Sequence, residues 1–541
     1  MSLRRCVVAT LASATLAPSA NAGGLFLPGS GAVSTARAGA AVASTDDGEA
    51  LAVNPAGLAK AGSGVVLTIG VTAIDYFMSF ARRGDYPVVD DMGMGVSYAG
   101  QPYPVIKNNA SPALGIGPLQ PVPVVALVSD VGGQVPGLHV AFGLYAPNAY
   151  PSRNMTTVNG QPWSFDTAHF DAPPPPTRYD ILTQDAAVIL PSIAASYRIL
   201  PGLDVGARFS TGFANLKSET ALWGVPLNYS EFVKEDGTVT INAKDSFVPA
   251  WGAGATYRPT RNLELAASYT SEIDVHAKGT AQAINGPAVT IGTATPVVIP
   301  IPNGPNIRCA PNGTAQFLSA CVDLTLPQTA TVGGRWKFLD DAGELRGDIE
   351  LDLDWENWSA AANYTVTIDG EVVTTTDPNP ADGISLQQQQ IRHGFQDTYA
   401  ARLGGSYIIP VGAGGRDKLT VRGGVSYDTA AAPTGWERAD LDGAARTSLA
   451  AGASYQHGRI RYDLGLGAVL EGTVNNPGTC MPTQQNPGCA GTGMDQPIGQ
   501  RTGPDPISPI VDSNTQAQDP VNQGIYKAYY LEFMLGLSTR F

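Results

Sequence analysis

Apolar and polar residues alternate with a period of two over long stretches of this chain. Between residues 348 and 356, Ile349, Leu351, Leu353 and Trp355 occupy one parity, and Asp348, Glu350, Asp352, Asp354 and Glu356 the other. Successive strand side chains point to opposite faces, so the pattern predicts a strand with one apolar and one acidic face. At the end of the chain Leu531, Phe533, Leu535 and Leu537 share a face, and Phe541 keeps that parity. The same reading predicts fourteen strands, near 64–80, 121–130, 138–147, 187–199, 203–217, 247–258, 262–280, 322–338, 345–369, 396–410, 417–428, 445–456, 458–472 and 525–541.

The connections alternate in length. Short turns are expected at Leu200-Pro201-Gly202, Pro259-Thr260-Arg261, Asp340 to Gly343, Val411 to Arg416 and His457-Gly458. Long connections fall near 81–120, 148–186, 218–246, 281–321, 370–395, 429–444 and 473–524. Short turns at one end and long loops at the other characterise outer-membrane barrels, whose long loops face outward. The expected fold is all-β: a fourteen-stranded antiparallel transmembrane barrel over residues 64–541, with both termini in the periplasm. Tyr197, Tyr257, Tyr407 and Tyr455 each precede a short turn, as an aromatic girdle requires.

Composition agrees. Of 541 residues only 15% are charged, Gly (62) and Pro (42) are abundant, and the net charge is −14. An acidic chain without a basic patch argues against nucleic acid as a partner. The N-terminus reads as a cleaved secretory signal peptide, residues 1–22. Arg4 and Arg5 precede a short apolar run, and Ala20-Asn21-Ala22 fits the cleavage site. Residues 23–63, rich in Gly, Ala and Ser, then precede the first strand, as a floppy tail or as a plug inside the barrel.

Four cysteines remain after cleavage, Cys309, Cys321, Cys480 and Cys489. Export permits disulfides, and proximity favours Cys309 with Cys321 and Cys480 with Cys489. Neither pair has metal-ligand spacing, and no metal site is expected. The five histidines are scattered and no GxSxG motif occurs, so no catalytic residue is assigned. The carboxylates from Asp348 to Glu356 are read as a solvated or Arg-paired lumen wall in preference to a cation site. Arg208, Arg258, Arg335, Arg402 and Arg422 are the candidate partners.

Several segments carry a resemblance. Ala36-Arg37-Ala38-Gly39, Asp46-Asp47 and Asn54-Pro55-Ala56-Gly57-Leu58 resemble the N-terminal hatch of the FadL-type family of outer-membrane transporters for long-chain fatty acids and other hydrophobic compounds. Further along, Trp251 to Gly254 with Leu263 to Tyr269, Asp352 to Ser359, Gly394 to Tyr399, and Arg422 to Asp428 are similar to other family segments. The resemblance spans nearly the whole mature chain outside the long loops. It implies a barrel plugged by a hatch (residues 23–63) with Asn54, Pro55 and Ala56 as its motif. Substrate would leave sideways at a kink in the third strand, where Gly143 and Pro147 are the candidate gate residues. Phe541 would be read by the barrel-assembly machinery. The implied partners are a hydrophobic ligand and membrane lipid, with no cofactor; a monomer is expected because a barrel of this size can stand alone. Rival readings are an aromatic-hydrocarbon channel, a general porin for polar solutes, an outer-membrane hydrolase and an adhesin. The Pro-rich stretches Ala172 to Thr177 and Val297 to Pro302 are candidate parts of an outer groove or stiff loop packing.

Overall fold

The computed structural model describes residues 24–476 and 524–541, except 87–89, 92–93, 167, 223–232, 235, 286–295, 301–308, 310–313, 315–316, 375–383, 386–388, 413–415 and 434–435. The expected signal peptide and the pair Cys480 and Cys489 lie outside the described residues.

Among the described residues fourteen wall strands form one antiparallel sheet. They are β1 (Val65–Arg82), β2 (Gln120–Ser129), β3 (Leu138–Tyr145), β4 (Thr183–Leu200), β5 (Leu203–Leu222) and β6 (Gly237–Tyr257). Four strands follow in two pieces each: β7 (Leu263–Thr270 and Ile273–Asn285), β8 (Leu318–Leu326 and Thr329–Leu339), β9 (Leu345–Glu356 and Asn363–Thr374) and β10 (Gln389–Arg392 and Thr398–Val411). The last are β11 (Asp417–Asp428), β12 (Arg446–His457), β13 (Ile460–Asn476) and β14 (Gly524–Arg540). Each pairs with its neighbours, and β1 pairs with β14 from Val66↔Arg540 to Arg82↔Gly524, so the sheet closes.

The faces are inverted relative to a water-soluble protein. Ile349, Leu351 and Leu353 of β9 are 45–52% exposed, whereas Glu350 and Asp352 between them are 0% exposed. Phe209, Trp251, Leu464 and Leu535 on other strands are equally open. Outward apolar residues suit a hydrocarbon surround, and backbone groups satisfied by a closed ladder suit it too. Tyr197, Tyr257, Tyr407 and Tyr455 are all exposed near the short-turn end. The turns are tight: Gly202, at φ +93°, adopts a conformation that L side chains rarely take.

The breaks in β7 to β10 have local causes. Pro327 cannot donate a ladder hydrogen bond, and it separates the two pieces of β8. In β9 a 3₁₀ turn, Trp358–Ala361, interrupts the ladder.

Residues 24–62 lie inside the ring of strands, and only Asp46 among them is exposed. Short helical turns at Ala32–Thr35, Ala50–Val53 and Pro55–Lys60 organise them. A methyl group added to Gly143, Gly206, Gly254, Gly404, Gly424 or Gly452, on six different strands, would collide with this segment. The missing side chains on the inner wall are what make room for it.

Candidate functional site

The acidic inner face of β9 grips the N-terminal segment. Arg37 is buried and holds Asp348 at 2.7 Å and Glu350 at 2.9 Å. Its Nε donates to the carbonyl of Ala40 at 2.7 Å. Asp352 accepts the backbone N–H groups of Ala41 and Val42, at 2.8 and 2.9 Å, and Glu350 accepts that of Ala43 at 2.6 Å. The acidic strand is therefore paired with arginine, as preferred, and it also receives main-chain donors that spacing alone does not announce. Arg335 bridges Asp348 (2.6 Å) and Glu264 (2.9 Å), and Arg402 joins Asp354 to Asp428. Arg258 pairs with Asp204 at 2.7 Å. Arg208 serves the segment by donating to the Leu51 carbonyl at 2.6 Å. Arg422 bonds Ser454. Sequence reasoning did not assign Arg37 itself, because its partners lie 311 and 313 residues away.

Asn54, Pro55 and Ala56 are fully buried or nearly so. The Asn54 carboxamide accepts the Ala56 N–H at 3.1 Å and donates to the Val42 carbonyl at 2.8 Å. It thus caps the Pro55–Lys60 turn, with Pro at a position whose N–H has no helical partner. The bare inner faces of Gly206 and Gly254 receive this motif.

Pro147 falls at a break in the wall, whereas Gly143 stands just before it, still paired with Ala126 on one side and Ser192 on the other. β3 pairs with β2 up to Val124↔Tyr145 and with β4 up to Leu190↔Tyr145. The chain then turns inward. Leu27 N–H donates to the Asn148 carbonyl at 2.7 Å, and the Asn148 side chain donates to the Pro28 carbonyl at 3.1 Å. The chain rejoins β4 only at Gln184↔Arg153. Residues 185–189 of β4 therefore lack a wall neighbour on that side. Pro147 cannot continue the ladder, for want of an N–H. Two further prolines, Pro121 and Pro123 of β2, border the same break. The Pro123 carbonyl accepts from Ala146 N–H, so an N–H at 123 would also have pointed toward the break. Two prolines at i, i+2 inside a strand were the overlooked signal.

Behind the break lies a cavity of about 400 Å³. Its lining is mainly apolar: Val188, Ile241, Val275, Val322 and Leu324 from the wall, with Phe26 from the N-terminal segment. Three rings meet at one end, Trp358 at 5.4 Å from Phe26 and 5.7 Å from Phe395. Pro121, Pro123, Pro147 and Ile189 line it too, so the cavity reaches the break. A second cavity, of about 180 Å³, shares Phe26 and Pro147 with the first and is lined by more polar groups, including Glu356 and Arg402.

Cys309 and Cys321 are disulfide-bonded. Phe541 is 68% exposed, and its N–H donates to the Val65 carbonyl at 2.8 Å. Pro174 to Thr177 are buried, with Tyr86 hydroxyl donating to the Pro174 carbonyl at 2.5 Å, which is loop packing and not an open groove. Pro296–Pro300 pairs with Gly370 to Thr374, and 301–302 lie outside the described residues. Ser164, Asp166 and His169 do meet in one loop. However, Ser164 and Asp166 both approach the same ring nitrogen of His169, at 3.1 and 2.7 Å. A hydrolytic triad needs them on opposite ring nitrogens.

A closed barrel with apolar outer faces, an enclosed segment and an apolar interior cavity defines a membrane-spanning transport protein. The model of the outer membrane protein transport protein family (OMPP1/FadL/TodX) matches residues 13–469. The chain belongs to this family of Gram-negative outer-membrane β-barrels. No curated protein sequence matches it. Among solved structures it resembles a Pseudomonas aeruginosa FadL homologue, at 14% identity and TM-score 0.64, over 96% of this chain and 100% of that one. The Ralstonia pickettii toluene transporter TbuX (15%, TM-score 0.53, 95% and 99%) and the P. putida toluene transporter TodX (16%, TM-score 0.53, 95% and 99%) share the fold.

Proposed function

We propose that the protein carries hydrophobic molecules passively across the outer membrane and releases them sideways into the bilayer. The observation that supports this reading most is the apolar cavity of about 400 Å³ that reaches the break beside β3. A methylene gains about 0.8 kcal/mol on leaving water. A solute held there reaches lipid more favourably through the wall than through a polar lumen. Residues 23–63 act as the hatch that denies polar solutes a path, held by the Arg37 and Asp352 contacts and built around Asn54, Pro55 and Ala56. Gly143 and Pro147 shape the exit. Long loops face outward and both termini face the periplasm. Phe541 serves barrel assembly, and the barrel works as a monomer without cofactor or energy coupling.

Long-chain fatty acids are the substrate class we favour. Monoaromatic hydrocarbons are the second reading, supported by the rings of Phe26, Trp358 and Phe395 around one end of the cavity. Uptake of labelled oleate, toluene and a small sugar into proteoliposomes tests both, with a variant lacking Asn54 to Ala56 in parallel. Motif-dependent oleate transport with little sugar flux is expected. Toluene transport without oleate transport would select the second reading, and free sugar passage would mean a porin.

A further inference from the structure

Where the outward apolar band ends on the long-loop side, three neighbouring strands each present a lysine: Lys217 of β5, Lys244 of β6 and Lys278 of β7. All three are exposed. Their direction follows from alternation. Ile241, Ala243, Val275 and Ala277 are buried in the interior cluster, so Lys244 and Lys278 between and beside them point outward. Leu216 packs on the same cluster, and Lys217 therefore points outward as well. In register Lys244 stands directly opposite Lys278. Lys244 also faces Asn215, which puts Lys217 on the diagonal, roughly 7–8 Å away. Toward the short-turn side the surface becomes apolar, with Phe213, Phe247 and Trp251 exposed.

Like charges directly opposite each other weaken a sheet. A carboxylate would ordinarily offset them, yet among the described residues none of these lysines enters an ion pair. Most of the surrounding carboxylates have other partners. Asp245 accepts the N–H groups of Phe247 and His276, at 3.0 and 2.7 Å. Asp323 holds the His276 ring at 2.8 Å, and Asp274 takes the Thr325 hydroxyl at 2.6 Å. Asp185, opposite Lys217, takes the Ser152 hydroxyl and the Ala113 N–H. Glu219 is the exception, since its charged neighbour is Lys217, but it is two positions farther from Lys244 than Lys217 is.

We propose that this patch binds the phosphorylated headgroup of an outer-leaflet lipid. One phosphate lies between Lys244 and Lys278, Lys217 reaches the same headgroup, and the acyl chains rest on Phe213, Phe247 and Trp251. Each lysine ammonium brings three donors and a point charge suited to phosphate. The site sits where headgroup and hydrocarbon meet, so polar and apolar contacts act on one molecule.

The test uses full-length protein in detergent, wild type and Lys244→Gln/Lys278→Gln, offered lipid A, its dephosphorylated form, or inorganic phosphate. Native mass spectrometry reads retained adducts, and heat-modifiable gel mobility confirms that the variant is folded. Wild type should retain lipid A at least tenfold more than the variant, with the dephosphorylated form and free phosphate not retained. Equal retention by both proteins would overturn the proposal. So would equal retention of the dephosphorylated lipid, which means acyl packing alone, or capture of free phosphate as strongly as lipid, which means a simple anion site. None of these readouts involves substrate uptake, so the transport reading stands or falls separately.

Discussion

Asp185 and Ser152 meet at 2.5 Å across the break in the barrel wall. The second oxygen of Asp185 accepts the Ala113 N–H at 3.0 Å. One carboxylate on β4 therefore ties down both segments that flank the opening. Asp185→Ala should free them: faster hydrogen exchange is expected at 111–119 and 146–152, with the rest of the wall unchanged. Asp185→Asn, which keeps one acceptor, should recover part of the protection. Unchanged exchange in the Ala variant would show that the tie does not hold the rim.

Gly143 marks a second constraint, in the paired part of β3 just before the break. A methyl group there would collide with the Val125 carbonyl oxygen and lie 2.6 Å from Leu51 Cδ2. Gly143→Ala should cost about 1–3 kcal/mol of stability, the usual cost of overpacking. Thermal unfolding checks this, and oleate uptake per folded molecule should change in the same variant. A neutral outcome would mean that β3 and the Leu51 turn shift without penalty.

Arg37→Ala leaves Asp348 and Glu350 buried with one cation fewer. Breaking such a buried pair typically costs about 3–5 kcal/mol. The variant should melt earlier, and liposomes carrying it should swell faster in small sugars, because the enclosed segment is less firmly held. A normal melting point with normal sugar exclusion would show that the main-chain contacts to Glu350 and Asp352 suffice.

Glu437 lies between β11 and β12, outside the spanning strands, and is 2% exposed. Its Oε1 accepts the Gly443 N–H at 3.2 Å. Burial, and then the Asp442 carboxylate, push its pKa from the ordinary 4.5 up to about 8. Between those values the folded chain keeps a proton that the unfolded chain has lost. The stabilisation is complete below the lower value and fades as pH rises through the upper one. Melting temperatures across that window should fall with pH, and Glu437→Gln should flatten the slope. An identical slope in the variant would assign it to another group.

The wall was legible because its pattern is local. Alternation from Asp348 to Trp355 assigns both faces of β9, and loop lengths give the number of crossings. Disulfide pairing of Cys309 with Cys321 followed from proximity. The cavity was not legible. Val275, Val322 and Leu324 alternate as any wall residues do, and only closure brings them to Phe26 and Trp358. The breaks within β7 to β10 were missed for a related reason. A strand that pauses for a turn such as Trp358–Ala361 and resumes keeps its hydrophobic content, so a pattern search runs across it.

The seam between β1 and β14 joins Val66 to Arg540, the two most distant parts of the wall in sequence. Ring closure must therefore wait for β14, whereas the Arg37 contacts need only β9. The glycine-lined inner face is shaped as a mould of the N-terminal segment: six strands each give up a side chain where that segment lies.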